Sequence, residues 1–188
     1  MIVGILLAAG SATRFGSHKL LHPLPDGTPM AIAALRNLTQ GVDEVIVVVR
    51  PEDAELMQLL AREKVRGMPC ANAKQGMGAS LACGVRATPD AEGWIIALAD
   101  MPFVPGAIVS TLATQLKAGD AIVAPTYQGQ RGHPVGFSRA FYQALSVLSA
   151  DQGARHILEQ NTGSLTLVPC TDPGVLRDID TPADLKAT

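Results

Sequence analysis

The chain alternates between continuous apolar runs and amphipathic segments. Three runs are almost wholly apolar, at 2–8, 44–50 and 93–100. Parallel strands that helices cover on both faces have this pattern. The spacing of apolar residues between the runs predicts helices at 29–41, 51–64, 77–87 and 105–118. Further strands are predicted near 66–70 and at 121–125.

This alternation predicts a three-layer α/β/α sandwich with a mainly parallel sheet, a Rossmann-like fold. After residue 125 a polar hairpin or loop leads to further elements. These are a strand near 133–137, helices at 138–148 and 151–161, and strands near 165–169 and 175–179. Thr181 is a candidate N-cap of a last helix, with Pro182 and Asp184 in its first turn.

Composition and charge narrow the class of protein. A net charge of -2 gives no basic excess for nucleic acid, and 4% aromatic residues leave few stacking surfaces. No apolar run reaches the ~18 residues of a membrane span, and the apolar N-terminus lacks the basic region of a signal peptide. Cys70, Cys83 and Cys170 lack metal-ligand spacing. We therefore expect a cytoplasmic protein without nucleic-acid or membrane partners.

The stretch "LLAAGSATRFGSHKLL" at 6–21 places a small-residue loop directly after the first strand. Backbone N–H groups at Gly10, Ser11 and Ala12 could surround anionic oxygens. Arg14 can bind phosphate through two parallel hydrogen bonds, and Lys19 supplies a point charge. The spacing matches neither a P-loop nor a dinucleotide-binding fingerprint. It indicates a phosphate site of another type.

Carboxylates follow two other predicted strands. Asp100 ends the run "WIIALA", and Asp178 and Asp180 alternate onto one face of a later segment. Ligands of open α/β sheets bind at the carboxyl ends of strands, and carboxylate oxygens suit Mg²⁺. Asp100 with Asp180, or alternatively Asp178, is a candidate magnesium site. Helix capping is the competing explanation for each of these residues.

Two more segments hold candidate binding residues. Gly76 and Gly78 precede a predicted helix whose first turn holds Ser80, so this loop could approach a nucleotide closely. His133 lies in "RGHPVGF" and Arg155 in "DQGARHIL". Neither has a Ser or Cys partner at a recognisable spacing, which disfavours a nucleophilic triad.

Several motifs together resemble one family. The opening stretch, "LADMP", "GMGASL", "RGHPVGF", "DQGAR" and "DIDTPADL" occur in this order over nearly the whole chain. In that order they resemble the MobA-like nucleotidyltransferases related to molybdenum cofactor biosynthesis. The "AAG" form of the first loop and the "GHPV" segment favour the cytidylyl branch. Phe15 stands where the family usually has Met.

The resemblance implies a Mg²⁺-dependent transfer of CMP from CTP to the molybdopterin cofactor, with release of pyrophosphate. It implies one domain over 1–188, with a nucleotide-binding half at 1–125 and an acceptor-side half at 126–188. The implied catalytic residues are Lys19, Arg14 and Asp100, and the implied metal ligands are Asp100 and Asp180. The implied nucleotide-binding residues are Leu7, Ala8, Ala9, Gly10, Arg14, Lys19, Gly78 and Ser80. His133 and Arg155 would bind the acceptor.

Alternatives stay open at this point. The same fold serves GTP-dependent or phosphosugar-type nucleotidyl transfer, and relatives with redox chemistry on small heterocycles exist. A non-catalytic molybdopterin carrier is a further possibility, but it would not need Lys19, Asp100 and Asp180 together. A recipient molybdoenzyme or its chaperone is the expected protein partner.

Overall fold

Eight strands form one sheet in the computed structural model, which describes residues 1–10, 15, 18–150 and 153–185. They are β1 (Ile2–Leu7), β2 (Glu44–Val49), β3 (Arg66–Pro69), β4 (Gly93–Leu98), β5 (Ile122–Tyr127), β6 (Gln130–Arg131), β7 (Val135–Ser138) and β8 (Leu165–Pro169). Each lies on a segment for which the sequence predicts a strand or the polar hairpin.

The sheet order is β3–β2–β1–β4–β7–β5, and β6 and β8 also pair with β5. Strands β1 to β4 are joined by parallel pairings, and β8 is parallel to β5. β7 is antiparallel to both β4 and β5, and β6 is antiparallel to β5. β5 therefore runs in the same direction as β4. The predicted mainly parallel sheet is confirmed.

β6 and β7 lie along the same edge of β5. Thr126 pairs with Arg131 of β6 on that edge and with Pro169 of β8 on the other. The chain between β6 and β7 carries His133 toward the C-terminal segment, where its N–H donates to the Val175 carbonyl (2.8 Å). The break between β6 and β7 therefore places His133, one of the two predicted acceptor residues, beside the sheet.

Helices cover both faces of the sheet and complete the three predicted layers. They are α1 (Met30–Thr39), α2 (Ala54–Arg62), α3 (Met77–Arg86), α4 (Gly106–Ala118), α5 (Tyr142–Ser146) and α6 (Arg155–Gln160). α1, α2 and α4 pack on one face, and α3, α5 and α6 pack on the other. Along β1, Ile2 and Leu6 face the first layer, while Val3 and Ile5 face the second. Burial on both sides explains why this strand has no polar position.

Local chemistry fixes where the helices begin and end. The Asp53 carboxylate accepts a hydrogen bond from the Leu56 N–H (3.3 Å) and caps α2. α4 follows Pro105 and ends at Gly119, which has a left-handed φ of 110°. Gly76, with a φ of 123°, makes the turn into α3, and this conformation favours glycine.

The helices are short. The helix predicted at 138–148 divides into a 3-10 turn (Arg139–Phe141) and α5. The longest helix, α4, has 13 residues. Within the described part of the chain, no helix is both long and apolar enough to cross a bilayer.

Two C-terminal predictions are wrong. The segment 175–179, predicted as a strand, contains the end of a 3-10 helix (Pro173–Leu176) followed by irregular chain. Val175 and Ile179 are fully buried, so their apolar pattern reflects tertiary packing and not pairing in the sheet. The helix predicted after Thr181 is a turn as far as residue 185, where the described segment ends.

Candidate active site

A cavity of about 590 Å³ opens where β1, β2 and β4 end. This is the carboxyl edge of the parallel strands, where ligands of such sheets bind. Residues predicted for the site from the sequence line it: Leu7, Ala8, Ala9, Gly10, Lys19, Ser80, Asp100 and Asp180. Arg14 lies outside the described residues, so its role stays a prediction.

Lys19 lies between two of the predicted carboxylates. Its Nζ donates hydrogen bonds to Asp100 Oδ2 and Asp180 Oδ1, each at 3.0 Å. The lysine side chain is only 7% exposed, whereas the side chains of Asp100 and Asp180 are 30% and 51% exposed. The two carboxylates therefore converge on one buried positive charge and face the cavity.

The charge state of Lys19 follows from this environment. Burial is the largest single influence and acts to lower the pKa of Lys19. The hydrogen bonds and charges of Asp100 and Asp180 together outweigh it, so the pKa lies above the ordinary value. Lys19 is a protonated hydrogen-bond donor at neutral pH.

Tertiary contacts bring Asp180 to the site from the far end of the chain. The N–H of Ile179 donates to the Asp100 carbonyl (3.0 Å), and the Ile179 side chain packs with Phe15, Leu24 and Met30. These contacts join the segment before Asp180 to the loop after β4. Asp178, the alternative metal ligand, is exposed, and its negative charge acts on His133.

A turn fixes the backbone at Asp180. The Asp184 carboxylate accepts hydrogen bonds from the N–H of Asp180 (3.0 Å) and from the N–H and hydroxyl of Thr181 (2.7 and 3.0 Å). These hydrogen bonds lower the pKa of Asp184. Thr181 and Asp184 thus have the predicted capping relationship, although they close a turn here.

The first turn of α3 contains Gly78 and contributes one buried polar side chain to the site. Ser80 is buried and lines the cavity, as do Gly76 and Met77. Gly78 is not part of the lining. A Cβ at Gly78 would lie 2.8 Å from the Ser149 carbonyl oxygen, so glycine is required there for packing.

A second cavity, of about 310 Å³, adjoins the first one and is lined by both predicted acceptor residues, His133 and Arg155. The two cavities share three lining residues, Leu7, Met77 and Leu98. Most of the other lining residues are apolar. Because the two cavities share part of their lining, a ligand in the second would lie directly beside a ligand in the first.

His133 brings a neutral imidazole to this second cavity. Burial, and then the charge of Arg131, lower its pKa, against the opposing charges of Asp100 and Asp178. Its Nδ1 is buried without a hydrogen-bond partner among the described residues. Arg155 is exposed and forms an ion pair with Glu159 (2.9 Å), so its guanidinium lies at the solvent side of the cavity.

Sequence reasoning missed four charged residues of the two cavities. Arg50, Glu52 and Lys74 line the first cavity, and Arg131 lines the second. Arg50 directly follows the buried strand β2, much as Asp100 comes shortly after β4, so its place in the sequence could have indicated it. Lys74 and Glu52 form an exposed ion pair (3.5 Å), which no sequence signal indicates.

The fold and the cavity define an α/β protein of the class that binds ligands at the carboxyl ends of parallel strands. Residues 4–165 match the family described as the MobA-like NTP transferase domain. The chain belongs to this family and is a nucleotidyltransferase, as the resemblance implied.

Curated relatives carry different names. The purine catabolism protein PucB of Bacillus subtilis is 30% identical, over 97% of this chain and 93% of its own length. Nicotine blue oxidoreductase of Paenarthrobacter nicotinovorans is 29% identical, over 96% of this chain and 92% of its own. A molybdenum cofactor guanylyltransferase of Burkholderia ambifaria is 36% identical, over 65% of this chain and 60% of its own.

Solved structures share the fold over its full length. Rv0371c from Mycobacterium tuberculosis superposes with a TM-score of 0.82 and 26% identity, over 98% of this chain and 95% of that one. A manganese complex of Rv0371c gives a TM-score of 0.76 and 25% identity, over 100% and 99% of the two chains. The three-layer architecture is therefore confirmed.

Proposed function

We propose that this nucleotidyltransferase transfers CMP from CTP to the molybdopterin cofactor and releases pyrophosphate, with Mg²⁺ as its metal ion. The observation that carries the proposal is the cluster of Lys19, Asp100 and Asp180 in a cavity that adjoins a second one. The "AAG" form of the first loop supports CTP. The relative that is named a molybdenum cofactor guanylyltransferase supports molybdopterin as acceptor.

The carboxylate pair fits a divalent cation. Asp100 and Asp180 each lie 3.0 Å from the same ammonium nitrogen, so they point at one position of positive charge. The described residues contain no group of three or more His, Cys, Asp or Glu side chains that could hold a metal ion. One or two carboxylates completed by substrate phosphates is the usual protein site for Mg²⁺. The manganese complex of Rv0371c supports a divalent cation as the metal of this fold.

The two cavities suggest how the substrates meet. An oxygen of the acceptor's terminal phosphate attacks the α-phosphorus of CTP, and the bond from that phosphorus to the bridging oxygen of the β-phosphate breaks. Pyrophosphate leaves with the electron pair, and no proton needs to move. A bound Mg²⁺ would neutralise negative charge on the phosphate oxygens. Lys19 remains protonated and donates to the phosphates as charge develops on them.

The acceptor-side residues suit an anionic substrate. Arg131 and Arg155 place two cations on a mostly apolar cavity, and His133 adds an uncharged donor or acceptor. Arg14 is proposed to bind the triphosphate together with Lys19. None of these roles requires a covalent intermediate.

Pyrophosphate release tests the proposal. The purified protein is given molybdopterin, Mg²⁺ and one of CTP, GTP or ATP, and the product is identified by mass spectrometry. We expect turnover with CTP, and a loss of most activity in Asp100→Asn with the fold intact by circular dichroism. Turnover only with GTP would favour the guanylyl alternative. A change in the redox state of a heterocycle without pyrophosphate would favour the oxidoreductase alternative.

A further inference from the structure

Arg50 has hydrogen-bonding capacity that the described residues do not use. It follows β2 directly, lines the first cavity, and has a side chain that is 28% exposed. Its Nη2 lies 3.6 Å from Asp53 Oδ2, which is beyond hydrogen-bond range. Its Nε is buried without a partner among the described residues. A guanidinium carries five donors in a planar fork, so a ligand in the cavity could take up several of them.

The sheet order places Arg50 away from the reacting phosphate. β1 lies between β2 and β4, so the ends of β2 and β4 are two strand spacings apart, about 10 Å. Asp100 follows β4, and the second cavity lies on the far side of it, against β4 and β7. The α-phosphate must therefore lie near β4. The part of the nucleotide that extends toward β2 lies beside Arg50.

Charge indicates which part of the nucleotide this is. Glu52 lines the cavity next to Arg50, and its carboxylate would repel the β- and γ-phosphates. Lys74 is the one other cation at this end of the described cavity, and its charge is balanced by its ion pair with Glu52 (3.5 Å). The uncharged base is the part of the nucleotide that this end of the cavity can accommodate.

We infer that Arg50 selects the nucleobase, and that it favours a base with two adjacent hydrogen-bond acceptors. This inference rests on the proposed function. Cytosine offers N3 and O2, and guanine offers O6 and N7. Adenine places its amino donor beside N7 and beside N1, and uracil has an N–H between its two carbonyls. The planar fork of Arg50 therefore matches cytosine or guanine, and it discriminates against adenine and uracil.

Asp53 is the positioning residue for Arg50. Its side chain is only 1% exposed and lies between Arg50 and His18, whose Nε2 is 3.3 Å from Asp53 Oδ1. It also caps α2 through the Leu56 N–H. Because the carboxylate is buried, water screens its attraction for the guanidinium only weakly. Asp53 thereby holds Arg50 at the N-terminus of α2. His18, the residue before Lys19, contacts the same carboxylate.

Titration calorimetry with CTP, GTP, UTP and ATP in the presence of Mg²⁺ tests this inference. We expect the wild type to bind CTP or GTP more tightly than UTP and ATP. Arg50→Gln should reduce that preference by about 5- to 150-fold, the discrimination supplied by a bidentate arginine–base pair. Affinities for UTP and ATP should remain nearly unchanged. Arg50→Lys should behave like Arg50→Gln, because an ammonium keeps the charge but lacks the fork.

Asp53→Asn separates positioning from capping, since Asn caps a helix as well as Asp does. It should remain folded, as circular dichroism checks, while its base preference falls in the same direction as that of Arg50→Gln. The double variant should show no further loss, because Asp53 acts through Arg50. Arg36→Gln is the matched control: Arg36 is exposed and pairs with Glu63 (2.7 Å), and neither residue lines the cavity.

The outcomes separate this inference from the proposed function. If the wild type prefers CTP or GTP and Arg50→Gln keeps that preference, Arg50 does not select the base and the proposed function stands. A uniform loss of affinity for all four nucleotides would make Arg50 a general contact, which also overturns the inference. If none of the four binds, the proposed function fails together with the inference.

Discussion

Replacing Lys19 by Met should destabilise the protein in a way that a divalent cation repairs. The change removes the ammonium that lies 3.0 Å from both Asp100 and Asp180 and leaves two carboxylates facing each other. Met keeps an unbranched apolar stem of similar length in the buried position. The expected loss of stability is therefore mainly electrostatic.

The magnitude follows from the exposure of the three groups. Exposed ion pairs contribute about 0.2–1 kcal/mol, and removal of one partner from a buried pair costs about 3–5 kcal/mol. Lys19 is buried while its partners are 30% and 51% exposed, so an intermediate loss of about 2 kcal/mol is expected. For a chain of this length that is a fall in melting temperature of about 4–8 °C.

Thermal unfolding with EDTA and with Mn²⁺, both without nucleotide, measures the effect. A cation at about 100 times its Kd stabilises by about 2.7 kcal/mol. In the wild type the cation must first separate Lys19 from the carboxylates. Mn²⁺ should therefore raise the melting temperature of Lys19→Met more than that of the wild type. Lys117→Met is the matched control, because Lys117 is half exposed and lies 3.0 Å from Asp43. If Mn²⁺ raised the melting temperatures of the wild type and Lys19→Met equally, the cation would not occupy the position of the Lys19 ammonium, and the reasoning would be refuted.

Three further predictions concern residues around the site. Asp184→Ala removes the acceptor for the N–H groups that hold the Asp180 turn. It should weaken Mn²⁺ binding several-fold in calorimetry. Burial lowers the pKa of His133 below that of a histidine in the unfolded chain, which is about 6.5. The stability contributed by the neutral imidazole is therefore complete above that unfolded pKa and is lost as the pH falls below it. His133→Gln should flatten the dependence of melting temperature on pH between 5 and 7, roughly the range of that titration. Gly132→Ala would place a Cβ 2.3 Å from the Val175 carbonyl oxygen and should cost about 1–3 kcal/mol in urea unfolding. Gly163→Ala, with open space around it, should change stability by less than about 0.5 kcal/mol.

The central strands could be predicted because their pattern has one physical cause. β1, β2 and β4 lie within two residues of the predicted runs at 2–8, 44–50 and 93–100. Burial between two helical layers removes polar residues from both faces of a strand, and this is visible in the sequence itself. The same reasoning failed at 175–179, because buried residues on irregular chain produce a similar apolar pattern.

The sequence by itself determined the class of fold and indicated Lys19 and Asp100 as residues of the site. Only the tertiary structure decided that Asp180, and not its alternative Asp178, contacts Lys19, because that contact depends on Ile179 packing against elements more than a hundred residues away. The tertiary structure likewise brought Arg50 into the wall of the cavity, with the buried carboxylate of Asp53 behind it. Local patterns report the burial of each segment, whereas the order of strands in the sheet sets which strand ends meet, and that order is a property of the whole chain.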